Sequence, residues 1–279
     1  MTVIAVASAK ARCVTSVAEL LVLLRPTGRR CVLIDADPAG GDWLLRPGVA
    51  PEPGLVSLAM AGRRRLESRE VFNHVQVAGN IEVVVGPAAS HQASAALEMI
   101  SARLVAHLRS LTHEPDGGWE VRVDSVIDCG RLTSGSPALP LALQADLVVL
   151  VSSATAAALV HLAPLVELLR SLGAMPAVLL HGGDARSARY GPDEVAAAVG
   201  TEVIGTMADD PGPAARLVDQ PGRIDGLGRS RLVRSMTQVT SRAWELAEHA
   251  ETAPVSHPAS APPAHEVYAP VGWRELRDG

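Results

Sequence analysis

Lysine is almost missing from this chain: all but one of its 25 basic residues are arginine, Lys10 being the exception, a bias that fits a GC-rich coding sequence and carries little functional weight. Aromatic residues make up only 3%, and Ala, Val and Leu dominate an apolar fraction of 48%. The predicted core is therefore aliphatic, as expected where helices cover both faces of a parallel sheet. Three cysteines, Cys13, Cys31 and Cys129, are odd in number and widely spaced, which argues against a disulfide framework or a Cys-x-x-Cys zinc site. Nine histidines show no metal-ligand spacing. A reducing cytoplasm is the expected compartment. No segment reaches the roughly 18 uncharged apolar residues of a spanning helix, and no basic stretch followed by a long apolar run opens the chain, so the reading is neither secreted nor membrane-spanning. A net charge of −5 and a pI of about 6.0 remove any global electrostatic case for nucleic acid. No Gly-x-Gly-x-x-Gly follows a strand, which excludes a dinucleotide-binding oxidoreductase.

What is there is a strict alternation. With 279 residues and a mean hydropathy of +0.20, the chain can bury one large α/β domain, placed at 1–250. Short apolar runs predict strands at 2–8, 30–35, 81–86, 121–128, 146–152, 176–181 and 202–206. Between them, "TSVAELLVLLR", "ASAALEMISARLVAHLRSL", "TAAALVHLAPLVELLRSLG", "PDEVAAAVG" and "GPAARLVDQ" carry apolar residues at helical spacing. Right-handed crossovers then give a doubly wound, mostly parallel sheet with helices on both faces. Ligands bind such sheets beyond the carboxyl ends of the strands, so the loops after residues 8, 35 and 128 are the ones to inspect.

Those loops carry a resemblance. "LIDADPAGGD", "VDSVIDCG", "ALQADLVVLVSSATAAALVHLAPLVELL" and "EVIGTMADDPGPAARL" occur in the order of the D-x-D-P motif, the Walker B strand, the following strand and helix, and the adenine-side loop of the ParA/MinD family of P-loop ATPases. The likeness covers roughly 2–246. "DPAGGD" at 37–42 and "PGLVSLA" at 53–59 are similar to a divergent actinobacterial branch of that family, whose first loop often reads GxPGVTT. The resemblance implies ATP with Mg2+ as cofactors, a homodimer and a protein partner.

The first loop, "SAKARCVTS", departs from the pattern because it contains no glycine. A phosphate loop needs glycines to turn successive amides inward, a lysine for the β/γ-phosphates and a Ser/Thr hydroxyl for magnesium. Anchored on "TSVAELL", the resemblance puts Thr15 at the magnesium position with Ser16 after it, Val14 where the lysine belongs, Cys13 in place of a glycine and Lys10 one place from the family's signature lysine. No register restores both lysines. The loop reads as a relic of a phosphate loop.

The other two loops are better kept. By resemblance Asp35 lies near the magnesium shell, Asp37 orients the attacking water as the catalytic residue, and Asp128 is the Walker B aspartate holding a magnesium-bound water; three convergent carboxylates suit a hard cation. A plainer alternative stays open, since Asp-x-Asp-Pro is also a turn or capping string. His181 and Ala208 stand where the family has an adenine-side Asn and a Pro. The expectation is a partitioning or positioning protein with a degenerate nucleotide site, ATP binding no tighter than about 0.1 mM and no measurable turnover. A working Mg-ATPase is the alternative.

Two surface features remain. A last amphipathic helix, "GRSRLVRSMTQVTSRAWELAEHA", sets Arg231, Arg234 and Arg242 opposite its apolar side; it is either a solvated face or a partner contact, with weak DNA binding at most. Beyond it, 251–279 is a Pro/Ala-rich tail predicted to be disordered, ending in Tyr268, Trp273 and Leu276, a candidate docking peptide.

Overall fold

The computed structural model of the chain describes residues 1–10, 13–26, 28–63, 68–113, 121–182 and 190–252. The tail and its anchors Tyr268, Trp273 and Leu276 lie outside them. In chain order the elements are β1 (Val3–Ser8), α1 (Val14–Leu23), β2 (Cys31–Asp35), α2 (Leu55–Gly62), β3 (Gln76–Ala78), β4 (Ile81–Val84), α3 (Ser90–Arg109), β5 (Thr112–His113), β6 (Val121–Arg122) and β7 (Asp124–Arg131). There follow α4 (Leu139–Gln144), β8 (Leu147–Ser152), α5 (Ala156–Ser171), β9 (Pro176–His181), α6 (Pro192–Val199), β10 (Val203–Met207), α7 (Pro211–Asp219) and α8 (Arg231–Thr252).

Eight strands form the main sheet in the order β10-β9-β8-β1-β7-β2-β4-β3. All pairings in it are parallel except β3 with β4 at one edge. The middle strands β1, β2 and β8 are buried along their whole length, which is why they read as unbroken apolar runs rather than alternating ones. Each face has its own core. Leu58, Leu97, Leu104, Leu141 and Leu162 pack on one side; Leu20, Leu21, Met236, Val239 and Trp244 pack on the other. Trp244 on α8 donates its indole N–H to the Leu21 carbonyl near the end of α1, fixing the last helix against the first.

The structure adds short elements that carry too few residues for periodicity to reveal: β3, α2, α4 and 3-10 turns at Trp43–Leu45 and Ser68–His74. It also divides the strand predicted at 121–128. Val121 and Arg122 pair with β5 in a separate two-stranded ribbon, and β7 itself runs on to Arg131. Among the described residues no helix is long and apolar enough to cross a membrane.

Candidate functional site

β2 and β7 are parallel neighbours in a register that pairs Asp35 with Asp128. Both side chains are fully buried at the carboxyl edge of the sheet. Asp35 Oδ2 accepts the Gly86 N–H at 3.3 Å, and Asp128 Oδ1 accepts the Gly130 N–H at 2.9 Å. Their other oxygens, Asp35 Oδ1 and Asp128 Oδ2, are buried without a hydrogen-bond partner. Buried polar atoms are nearly always satisfied, so these two oxygens leave capacity for a further donor or a cation beside the Thr15 hydroxyl and the Trp43 N–H, which already favour the charged carboxylates. Asp37 joins them: its Oδ1 accepts the Ala39 N–H at 2.8 Å, and its Cγ lies 2.1 Å from where a Cβ on Gly130 would sit. Gly41 is required in the same way, since a Cβ there would lie 2.1 Å from Asp35 Oδ2. Gly41 of "DPAGGD" thus lets the backbone close around the Asp35 carboxylate, while Gly40 lets it pass the Ala88 carbonyl.

Burial dominates the electrostatics. It pushes the Asp35 carboxyl well above the usual range, and the charge of Asp128 adds to the rise while N–H groups of Gly86 and Trp43 oppose it. Asp128 is raised to about 6 by burial, held back by the Thr15 hydroxyl and the Gly130 N–H. Asp37 is also raised, again by burial first, with Asp42 contributing. The three carboxylates predicted from the sequence do converge, and Thr15 meets Asp128 from the start of α1.

The β1–α1 loop is a different environment. Cys13 caps α1 in the left-handed region at φ 70 and makes no side-chain cap. Val14, which the resemblance aligns with the family's lysine, is 7% exposed and packs with Val17 and Leu21 in the core. Ser16 is half-buried and Lys10 exposed. Lys10 lines a cavity of ≈ 230 Å³ with Ser152, Ser153 and Thr155, at the start of α5. His181, predicted on the adenine side, sets Nε2 3.7 Å from Cys13 Sγ, so the end of β9 touches the loop.

One residue escaped the sequence reading. Arg131, at the exposed end of β7, donates its Nε–H to the Ala9 carbonyl at 3.1 Å. The only hint in the sequence was a cation directly after "DCG".

The residues therefore fit half of a Mg-ATP site. Asp35, Asp128 and Thr15 would offer oxygen ligands to a hard cation, but among the described residues no group of three His, Cys, Asp or Glu side chains could hold a metal ion. The phosphate half does not fit, because Val14 offers no charge and faces inward.

On α8, Arg242 makes a two-pronged ion pair with Glu202, at 2.7 and 3.1 Å, and reaches Glu245 at 3.5 Å. It belongs to the fold's own surface pairing. Arg231 and Arg234 remain exposed beside it.

No protein-family model and no curated protein sequence matches the chain. Solved structures do. A ParA family ATPase from Chlorobium tepidum superposes with a TM-score of 0.69 at 16% identity, over 86% of this chain and 97% of that one. The MinC:MinD cell division protein complex of Aquifex aeolicus gives 0.65 at 14%, over 92% and 99%. The septum site-determining protein MinD of Pyrococcus horikoshii, solved with Mg-ADP, gives 0.62 at 15%, over 90% and 99%. On the strength of its strand order and these superpositions, the chain has the fold of the ParA/MinD ATPases.

Proposed function

We propose that this chain is a positioning or assembly factor on the ParA/MinD fold, whose nucleotide site keeps its cation side and has lost most of its grip on phosphate. The observation that carries this is the contrast within one cleft: buried, unpartnered oxygens on Asp35 and Asp128, against a buried Val14 where the phosphate-binding lysine stands in the family. Phosphoryl transfer rests on neutralising charge as it develops, so removing the cation should cost turnover more than folding. When bound, magnesium supplies charge to the phosphates. Thr15, Asp35 and Asp128 would hold it and its water, and Asp37 would orient a water. Partition and cell-division proteins share the fold, and they support a role in localisation through a protein partner, with a second copy of this chain as the natural dimer mate. Arg231 and Arg234 are too few to give more than weak, salt-sensitive DNA contact.

The retained carboxylates favour one rival, a working Mg-ATPase of the same fold. Calorimetric titration with Mg-ATP separates the two. The proposal expects a Kd no tighter than about 0.1 mM, with background hydrolysis. Micromolar binding abolished by Thr15→Ala, with turnover lost in Asp37→Ala, establishes the ATPase.

A further inference from the structure

We infer that Arg131 is a phosphate-binding residue of this cleft, supplying from β7 the charge that Val14 cannot supply from α1. The inference rests on reading the cleft as a residual polyphosphate site and names the group that holds the ligand.

Three observations converge. First, the pairing of β1 with β7 slips: Val6 faces Asp128, but Ser8 faces Arg131, so two steps along β1 match three along β7. The extra residue is a bulge, a device that re-aims the side chain following it. Second, the bulge is held from both sides. Gly130 adopts φ +56, its N–H is bound by Asp128 Oδ1, and its missing Cβ leaves the space taken by the Asp37 carboxylate. The turn that seats Asp37 therefore also delivers Arg131. Third, Arg131 lands on the loop itself. Its Nε is spent on the Ala9 carbonyl, the next residue's N–H is bound by the Ser8 carbonyl at 2.9 Å, and the guanidinium lies exposed. With Nε committed, the two terminal nitrogens keep a planar pair of donors, which matches two oxygens of a phosphate.

Lys10 is the other described cation of the loop, but it sits toward β8 and α5. Arg12 also belongs to this loop and lies outside the described residues. Both serve as internal controls. The chemistry recognised is a linear polyphosphate, free or as the tail of a nucleoside triphosphate.

The test titrates the full chain with inorganic tripolyphosphate and with Mg-ATP, by calorimetry, for wild type, Arg131→Gln, Arg131→Lys, Arg12→Gln and Lys10→Gln. Arg131→Gln is expected to weaken tripolyphosphate at least about tenfold, with Arg131→Lys intermediate and the other two smaller. The salt dependence of binding should flatten in Arg131→Gln, which a merely structural residue would not do. Unliganded melting temperatures check folding; if Arg131→Gln melts early, the Arg131→Lys affinity decides. Tripolyphosphate affinity unchanged at Arg131, a loss confined to Arg12→Gln, or no wild-type binding up to about 10 mM overturns the inference. Micromolar Mg-ATP with turnover in the wild type overturns the weak-site reading instead, and Arg131 then stands or falls on whether Arg131→Gln loses that binding. Equal effects on tripolyphosphate and Mg-ATP identify the phosphate chain as the recognised part, and a larger effect on Mg-ATP adds the nucleoside.

Discussion

The two halves of the cleft were made by different means. On the β2/β7 side, two strands of a rigid sheet present Asp35 and Asp128 in fixed register, and glycines at 41, 86 and 130 leave room for carboxylates that any Cβ would displace. On the β1–α1 side, nothing but a loop and the first turn of a helix is available, and its key position holds a valine absorbed into the core. Side chains built on strand ends are constrained by packing on several sides; side chains on a loop are constrained by little except their ligand. The difference teaches that strand ends can fix an acidic wall independently of the loop and helix turn that face it.

A buried ion pair also ties the two halves together, and breaking it should give the largest effect. Glu19 on α1 meets Arg46, just beyond the "DPAGGD" loop, at 2.5 Å, with both side chains buried. Arg46 also stacks on Trp43 and donates to the Leu217 carbonyl, while Glu19 accepts the Gly222 N–H. Arg46→Ala strands a buried carboxylate whose pKa burial already raises, so chemical denaturation should show a loss of about 3–5 kcal/mol. The double change Glu19→Gln with Arg46→Met should recover much of it.

Asp128 sharpens the comparison through pH. Its folded-state pKa, about 6, lies above the ordinary 3.8. Between those values the folded state holds more protons than the unfolded one, so stability is greatest below the lower value and falls as pH rises through the upper one. Asp35 is raised too and acts in the same direction. Denaturation from about pH 4 to about pH 8 should move the difference between Asp128→Asn and wild type in the variant's favour by on the order of 3 kcal/mol. A flat difference would mean that the carboxylate is already compensated.

The smallest effect belongs to a region outside the cleft. Arg242 pairs with Glu202 on an exposed surface, and Arg242→Ala should cost under about 1 kcal/mol and leave DNA retention unchanged. Any weak retention should instead fall in Arg234→Ala.

Much of the acidic side was legible in the sequence, because buried parallel strands announce themselves as apolar runs, with Asp35 ending one and Asp128 following the apolar stretch of the other. The fold followed from the same runs. Arg131 was not legible: its position depends on a bulge made by the φ of Gly130 and by the seating of Asp37, neither of which leaves a pattern in neighbouring residues. Nor was the Glu19–Arg46 pair, since a glutamate within "VAELLVLL" reads as the polar side of a helix until its partner arrives from a distant loop. The contact of His181 with Cys13 was not legible either, since it joins the end of β9 to a loop distant in sequence.

The placement of the three cysteines has a practical consequence. Cys31 and Cys129 are buried in the strands, and burial holds their thiols far above the ordinary range. Cys13 is half-buried just before α1, the most accessible of the three. A maleimide dye should therefore label the unaltered protein at Cys13 first, putting a fluorescent reporter on the β1–α1 loop with no engineered residue.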